Sequence, residues 1–246
     1  MRHRRLSVPR PIALVLAALA LATAAVPAAA QSPSPDGSPV PGPSAPAIRA
    51  GTLPSEGGAV EPGTYSDWSL GPTLTFTLGP GWGVTPVDAG FGLALVRTDQ
   101  PAIAVLTISS FTGDVFVDPC LAEGEETMRI DPTPEALVTE LGANPSLIVG
   151  PPEETTLAGL PALEVEVGMQ MPMACEPPVT WIWATPPTGG FVLEGGEEAR
   201  FTLAALDAGT VLVASAEAWP GADLAELVAA TDALLATLEI GPPPGA

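Results

Sequence analysis

The clearest signal in the chain is a two-residue alternation between Leu163 and Met171. Leu163, Val165, Val167, Met169 and Met171 share one parity, and Glu164, Glu166 and Gln170 take the other. Successive side chains of a strand point to opposite faces, so this stretch predicts a strand with one dry and one wet face. A tight apolar turn, Ala158-Gly159-Leu160-Pro161, leads into it. Shorter runs repeat the theme. Leu74 to Leu78 predicts a strand with Leu74, Phe76 and Leu78 on one side, and Gly79 to Gly83 a turn that delivers Trp82. Phe91 to Val96 and Ile103 to Ser109 form a hairpin across Arg97 to Pro101. Val115, Val117 and Cys120 carry the chain into an acidic loop, Glu123 to Glu126. Leu147 to Val149 is a short strand before Pro151-Pro152, and Thr180 to Thr185 is apolar on both faces, which predicts a central strand. Ala199 to Leu206 and Thr210 to Ala216 pair around Asp207-Ala208-Gly209, and Leu238 and Ile240 close the domain on a short strand.

Two segments change period. In Thr133 to Leu141, Thr133 is placed to cap a helix, Pro134 suits its first position and Glu135 favours the positive end of its dipole. Leu137, Val138 and Leu141 form its apolar stripe, and Gly142 is expected to stop it. Ala222 to Leu235 places Leu224, Leu227, Val228, Leu234 and Leu235 near helical spacing, with Asp223 in the first turn and Glu226 and Asp232 outward. The predicted class is α+β, a twisted antiparallel sheet covered by two main helices on one or both faces.

The flanks read differently. Arg2, Arg4, Arg5 and Arg10 precede an uncharged apolar run, Ile12 to Val26, and Ala28-Ala29-Ala30 offers a small-x-small cleavage site before Gln31. This predicts a signal peptide over 1–30, cleaved after Ala30, and a secreted or envelope location with no membrane insertion after cleavage. An uncleaved anchor is the competing reading, but the run is short for a span of about 20 apolar residues. Residues 31–63 hold eight prolines amid Gly and Ser and predict a disordered linker. The folded domain is expected over 64–241, with 242–246 a proline-rich tail.

Charge narrows the partners. The 246 residues carry 28 acids against eight arginines, with no lysine, for a net charge of −20; losing the leader removes four arginines and no acid, leaving −24. Such a chain repels phosphate backbones, so nucleic acid is excluded as a partner, and a monomer that meets an extracellular protein or envelope ligand is expected. The two cysteines, Cys120 and Cys175, are even in number on an exported chain, which predicts one disulfide closing a loop of about 55 residues, worth about 4 kcal/mol in the chain-entropy model. Two buried free thiols are the alternative.

The order of several pieces resembles a known group. Gly81-Trp82 after the first strand, Asp118-Pro119-Cys120, the helix from Thr133 to Leu141, Leu157 to Pro161 before a long strand, Cys175, and the closing block Ala222 to Ile240 make up the set. Together they resemble uncharacterised exported proteins of high-GC bacteria whose domains look like the PsbP-like α/β/α sandwich. PsbP itself is an accessory protein of photosystem II, and related folds serve as binding modules. The resemblance implies the sandwich and a binding or accessory role, and carries across no catalytic residue.

The sequence also closes off chemistries. Its one histidine is His3, inside the leader, so the mature chain has neither His nor Lys. A Ser-His-Asp triad, a Cys-His pair, a histidine zinc site and a Schiff-base lysine are all excluded. No cofactor, metal or catalytic residue is assigned. Met169, Met171 and Met173 near Cys175 are soft donors, yet their parity makes them core residues. The acid clusters Glu123, Glu125 and Glu126, Glu153 and Glu154, and Glu197 and Glu198 lack calcium-loop spacing and read as solvated. Trp181 and Trp183, expected on one face of a strand, and Trp219 before the last helix are the candidate ligand surface, with core packing as the competing role. The favoured function is a non-catalytic extracellular binding or accessory domain. The alternative is a small carboxylate-dependent hydrolase of envelope or extracellular carbohydrate, which needs two carboxylates facing each other across a cleft.

Overall fold

A computed structural model describes residues 51–54, 57–87, 91–120, 126–171, 175, 178–185 and 189–245. The leader and its cleavage point, the linker up to residue 50, Glu123, Glu125 and Met173 lie outside them. The elements run β1 (Gly51–Thr52), β2 (Gly58–Ala59), β3 (Gly63–Asp67), β4 (Thr73–Leu78), β5 (Trp82–Thr85), β6 (Leu93–Arg97), β7 (Ala104–Phe111), β8 (Asp114–Phe116) and β9 (Thr127–Arg129). They continue through α1 (Pro134–Ala143), β10 (Leu147–Val149), β11 (Glu153–Leu157), β12 (Leu160–Met169), β13 (Val179–Ala184), β14 (Gly190–Glu194), β15 (Glu198–Asp207), β16 (Thr210–Ala218), α2 (Leu224–Leu235) and β17 (Glu239–Gly241). β1 and β2 fall within the stretch read as linker: β1 pairs in parallel with β3, and β2 antiparallel with β5.

The dominant element is a nine-stranded antiparallel sheet in the order β10-β12-β15-β16-β7-β6-β5-β2, with β11 beside β10 on the same edge of β12. Two four-stranded sheets accompany it, β1-β3-β4-β17 and β14-β13-β8-β9. Its central strands are apolar on both faces, so each face needs a cover. Leu106, Ile108, Leu212, Ala214 and Ala216 pack on one side with Leu74 and Phe76 of β4 and Leu227 and Leu234 of α2. Val165, Phe201, Leu203 and Val213 pack on the other with Leu137 and Leu141 of α1 and Trp183, Phe191 and Leu193 of the β13–β14 pair. Each buried Leu, Ile, Val or Phe among them contributes about 1.5–3 kcal/mol on leaving water.

This corrects the expected architecture. Of the described residues half are strand and 12% helix, and they do not form a sheet roofed by two main helices in the manner of the PsbP-like sandwich. The reason is one of size. At 1.5 Å per residue, helices of 10 and 12 residues reach about 15 and 18 Å, too short to shield nine strands. Strands complete each cover. The segment expected to be a central strand, Thr180 to Thr185, is β13 of a separate small sheet, paired with β14 and β8. Within that sheet it is an inner strand, with β14 on one side and β8 on the other.

The helix ends follow the predicted chemistry. Thr133 Oγ1 accepts from Ala136 N at 3.2 Å, and Asp223 Oδ1 accepts from Glu226 N at 3.0 Å, so Asp223 is the cap of α2. Gly142 does not stop α1, which runs on to Ala143. In β12, Val165, Val167 and Met169 are buried as the alternation requires, but Met171 lies past the strand and is 65% exposed. Cys120 and Cys175 are joined as a disulfide across a sequence separation of 55, with Cα atoms 4.9 Å apart.

Candidate functional site

Register across the β10 edge of the large sheet sets out an open part of the surface. Ile148 of β10 lies opposite Gly168 of β12, Gly168 opposite Glu198 of β15, and Glu198 opposite Ala218 of β16. The next rows pair Glu166 with Arg200 and Glu164 with Thr202. Because side chains alternate, these residues all face the side that carries α2. Ala214, Ala216 and Ala218 keep the sheet low where the helix crosses. Beyond its first turn the sheet is uncovered, and a groove opens there.

The groove comprises two adjoining concavities of about 600 Å³ and 290 Å³, both lined by Glu166, Glu198 and Leu224. Ala222, Ala225 and Val228 of the α2 region form one wall, and Ile148 and Gly168 the far floor. Ile148 is 62% exposed, and a Cβ added at Gly168 would have no heavy atom within 4 Å beyond its chain neighbours. The floor is therefore aliphatic and open, and its borders are acidic.

Farther along α2 the same face holds a charge cluster. The Arg200 guanidinium is buried, engages both oxygens of Asp232, and lies 3.5 Å from Glu164. Burial pushes the Glu164 carboxyl up, and Arg200 beside it pulls the other way. Glu164, Asp232, Thr155, Thr202 and Leu235 line a recess of about 320 Å³. Both acids there are committed to one arginine, which suits a structural clamp better than an acid–base pair. The other described arginines are likewise taken: Arg97 pairs with Asp99 and lies over the Trp82 ring at 5.1 Å, and Arg129 reaches Asp114 at 3.2 Å.

A second pair of carboxyls lies on the opposite face, under the small β13–β14 sheet. Glu217 follows Ser215 on the inward parity of β16, and Ser215 is opposite Thr107 of β7. Glu217 and Glu197 are buried. Burial, then the nearby Glu217 charge, pushes Glu197 up to about 8, while the Glu194 N–H that Glu197 accepts at 2.9 Å opposes the shift. Burial pushes Glu217 up to about 8 as well, with the Thr107 and Ser215 hydroxyls partly offsetting it. One oxygen of each acid, the Ser109 hydroxyl and the Trp183 indole N–H have no hydrogen-bond partner among the described residues. Raised carboxyls of this kind are what a glycosidase general acid requires, but these are sealed from solvent and border no described cleft.

The three predicted tryptophans do not make one surface. Trp183 is fully buried, stacked on Phe191 at 4.3 Å and edge-on to Phe111 and Phe201. A bulge between Trp181 and Trp183 breaks the two-residue period, so they do not share a face as expected. Trp181 is half-buried against Phe116 at 5.4 Å, and Trp219 donates from Nε1 to Glu194 at 3.3 Å. Met169 is buried while Met171 is exposed, and Met173 lies outside the described residues. Among the described residues no three Cys, Asp or Glu side chains are grouped to hold a metal ion, and no helix is long and apolar enough to cross a membrane.

Sequence reasoning missed the groove and the buried acids, and it read Glu197 as solvated where the fold buries it fully. The groove depends on which strands lie side by side, which local patterns do not encode. The acids left a trace: Ser215 and Glu217 continue the parity of Val211 and Val213 in an otherwise apolar strand. No protein-family model and no curated protein matches the chain.

Proposed function

We propose that this chain is an exported, non-catalytic domain that works by binding, and that its working face is the groove between α2 and the β10 edge. The carrying observation is where each group of acids lies. Glu197 and Glu217, the carboxyls pushed up furthest, are buried in the core, Glu164 is held beside Arg200, and Glu166 and Glu198 border the aliphatic floor of the open groove. That arrangement supports holding a ligand rather than turning one over. Export is supported by the leader-like N-terminus and the Cys120–Cys175 disulfide. The net charge weighs against nucleic acid.

The test is site-specific photo-crosslinking of the full exported chain in its native envelope. A photoreactive residue replaces Gly168 in one variant and Asp207, in the β15–β16 turn, in another. The reading expects a discrete adduct from position 168 and none from 207. Equal labelling from both, or none from 168, contradicts it.

A further inference from the structure

Resting on that reading, we infer that the groove takes a basic, amphipathic peptide segment of a partner protein, with aliphatic side chains on the Ile148–Gly168 floor and Lys or Arg heads against Glu166 and Glu198. Two features of the groove carry this independently of each other. The first is apolar. Ile148 on the sheet edge is exposed, Leu224 and Val228 are only half-buried, and Gly168 leaves space between them. Aliphatic side chains entering that space gain about 25 cal/mol for each Å² removed from water.

The second is electrostatic. Glu166 and Glu198 line both concavities and are exposed. Among the described residues neither forms an ion pair: Arg97 and Arg129 are held by Asp99 and Asp114, and Arg200, opposite Glu166 in register, turns to Asp232 and Glu164 instead. The mature chain has no lysine to offer. Asp223 adds a third carboxylate at the groove wall, where it caps α2. Charge of one sign around an apolar floor selects a partner of the opposite sign with an apolar face. An acidic or purely polar segment fails one half of that match.

The experiment titrates the whole mature chain with three short fluorescent peptides, followed by anisotropy. One alternates lysine with leucine, one replaces its lysines by glutamates, and one replaces its leucines by serines. The decisive variant is Gly168→Leu, which fills the floor and leaves every charge in place. The inference expects binding of the lysine–leucine peptide alone, weakened about tenfold or more by Gly168→Leu. Glu166→Gln with Glu198→Gln weakens it several-fold and flattens its salt dependence. Attraction to acidic surface in general survives Gly168→Leu unchanged, and that result overturns the inference, as does equal binding of the serine or glutamate peptide. Thermal melts of each variant show that the fold is kept. If no peptide binds while position 168 still crosslinks a partner in the envelope, the chemistry assigned here is wrong and the binding reading stands. If neither occurs, both fall.

Discussion

Arg200 of β15 holds Asp232 of α2 by a two-pronged ion pair, and this contact ties the helix to the sheet beside the groove. Asp232 is 55% exposed on its side chain, whereas Arg200 is buried, so the two partners are not equivalent. Asp232→Ala leaves Arg200 with Glu164 alone at 3.5 Å and should cost about 1–3 kcal/mol in urea unfolding. Arg200→Met removes the charge but leaves Glu164 and Asp232 facing each other. Its loss should shrink as pH falls and Glu164, already pushed up by burial, takes up a proton.

The buried acids make stability depend on pH in a direction opposite to that of a salt-bridged carboxylate. Glu197 and Glu217 have an ordinary value of 4.5 and are pushed up to about 8 in the fold. Between those values the folded chain binds more protons than the unfolded one, so stability falls as pH rises from 4.5 to 8, and the loss is complete above the upper value. Glu217→Gln removes the ionisable group while keeping its shape. In thermal melts the variant should match the parent at pH 4 and exceed it at pH 8. A constant difference across that range would show that Glu217 does not titrate in the fold.

The disulfide fastens the segment after β12 to the chain beyond β8, with Ser146 Oγ 3.3 Å from Cys175 Sγ. Cys120→Ser with Cys175→Ser should cost about 4 kcal/mol for a loop of this span, read as a lowered denaturant midpoint. Thiol titration of the unfolded, unreduced chain should find no free thiol, which would exclude the free-cysteine alternative.

Two glycines should respond in opposite ways to the same change. Gly92 has φ +115°, and an added Cβ would sit 2.1 Å from the Ile108 carbonyl oxygen at the β6–β7 junction. Gly92→Ala should therefore cost at least about 2 kcal/mol. Gly168→Ala meets open space and should be near neutral, which is why this position suits the groove tests.

Local periodicity made the strands and helices legible, and their assembly was not. The β12 alternation gave Val165, Val167 and Met169 as inward residues, and Thr133 marked the start of α1 because capping is chemistry within a few residues, while Asp223, read as a first-turn acid, is the cap of α2. Sheet membership depends on partners far apart in sequence. Thr180 to Thr185 therefore read as central to one sheet when it belongs to another that covers it. The bulge that separates Trp181 from Trp183 leaves no mark in a period-two pattern. The groove needed three strands in register, since Ile148, Gly168 and Glu198 meet only through β10, β12 and β15.

The most direct test of the binding face is a map of backbone amide shifts on adding the lysine–leucine peptide to the isotopically labelled mature chain. The account predicts saturable shifts concentrated at Ile148, Glu166, Gly168, Glu198 and Leu224. Shifts spread evenly over the acidic surface, or centred on Trp181 or Trp219, would contradict it.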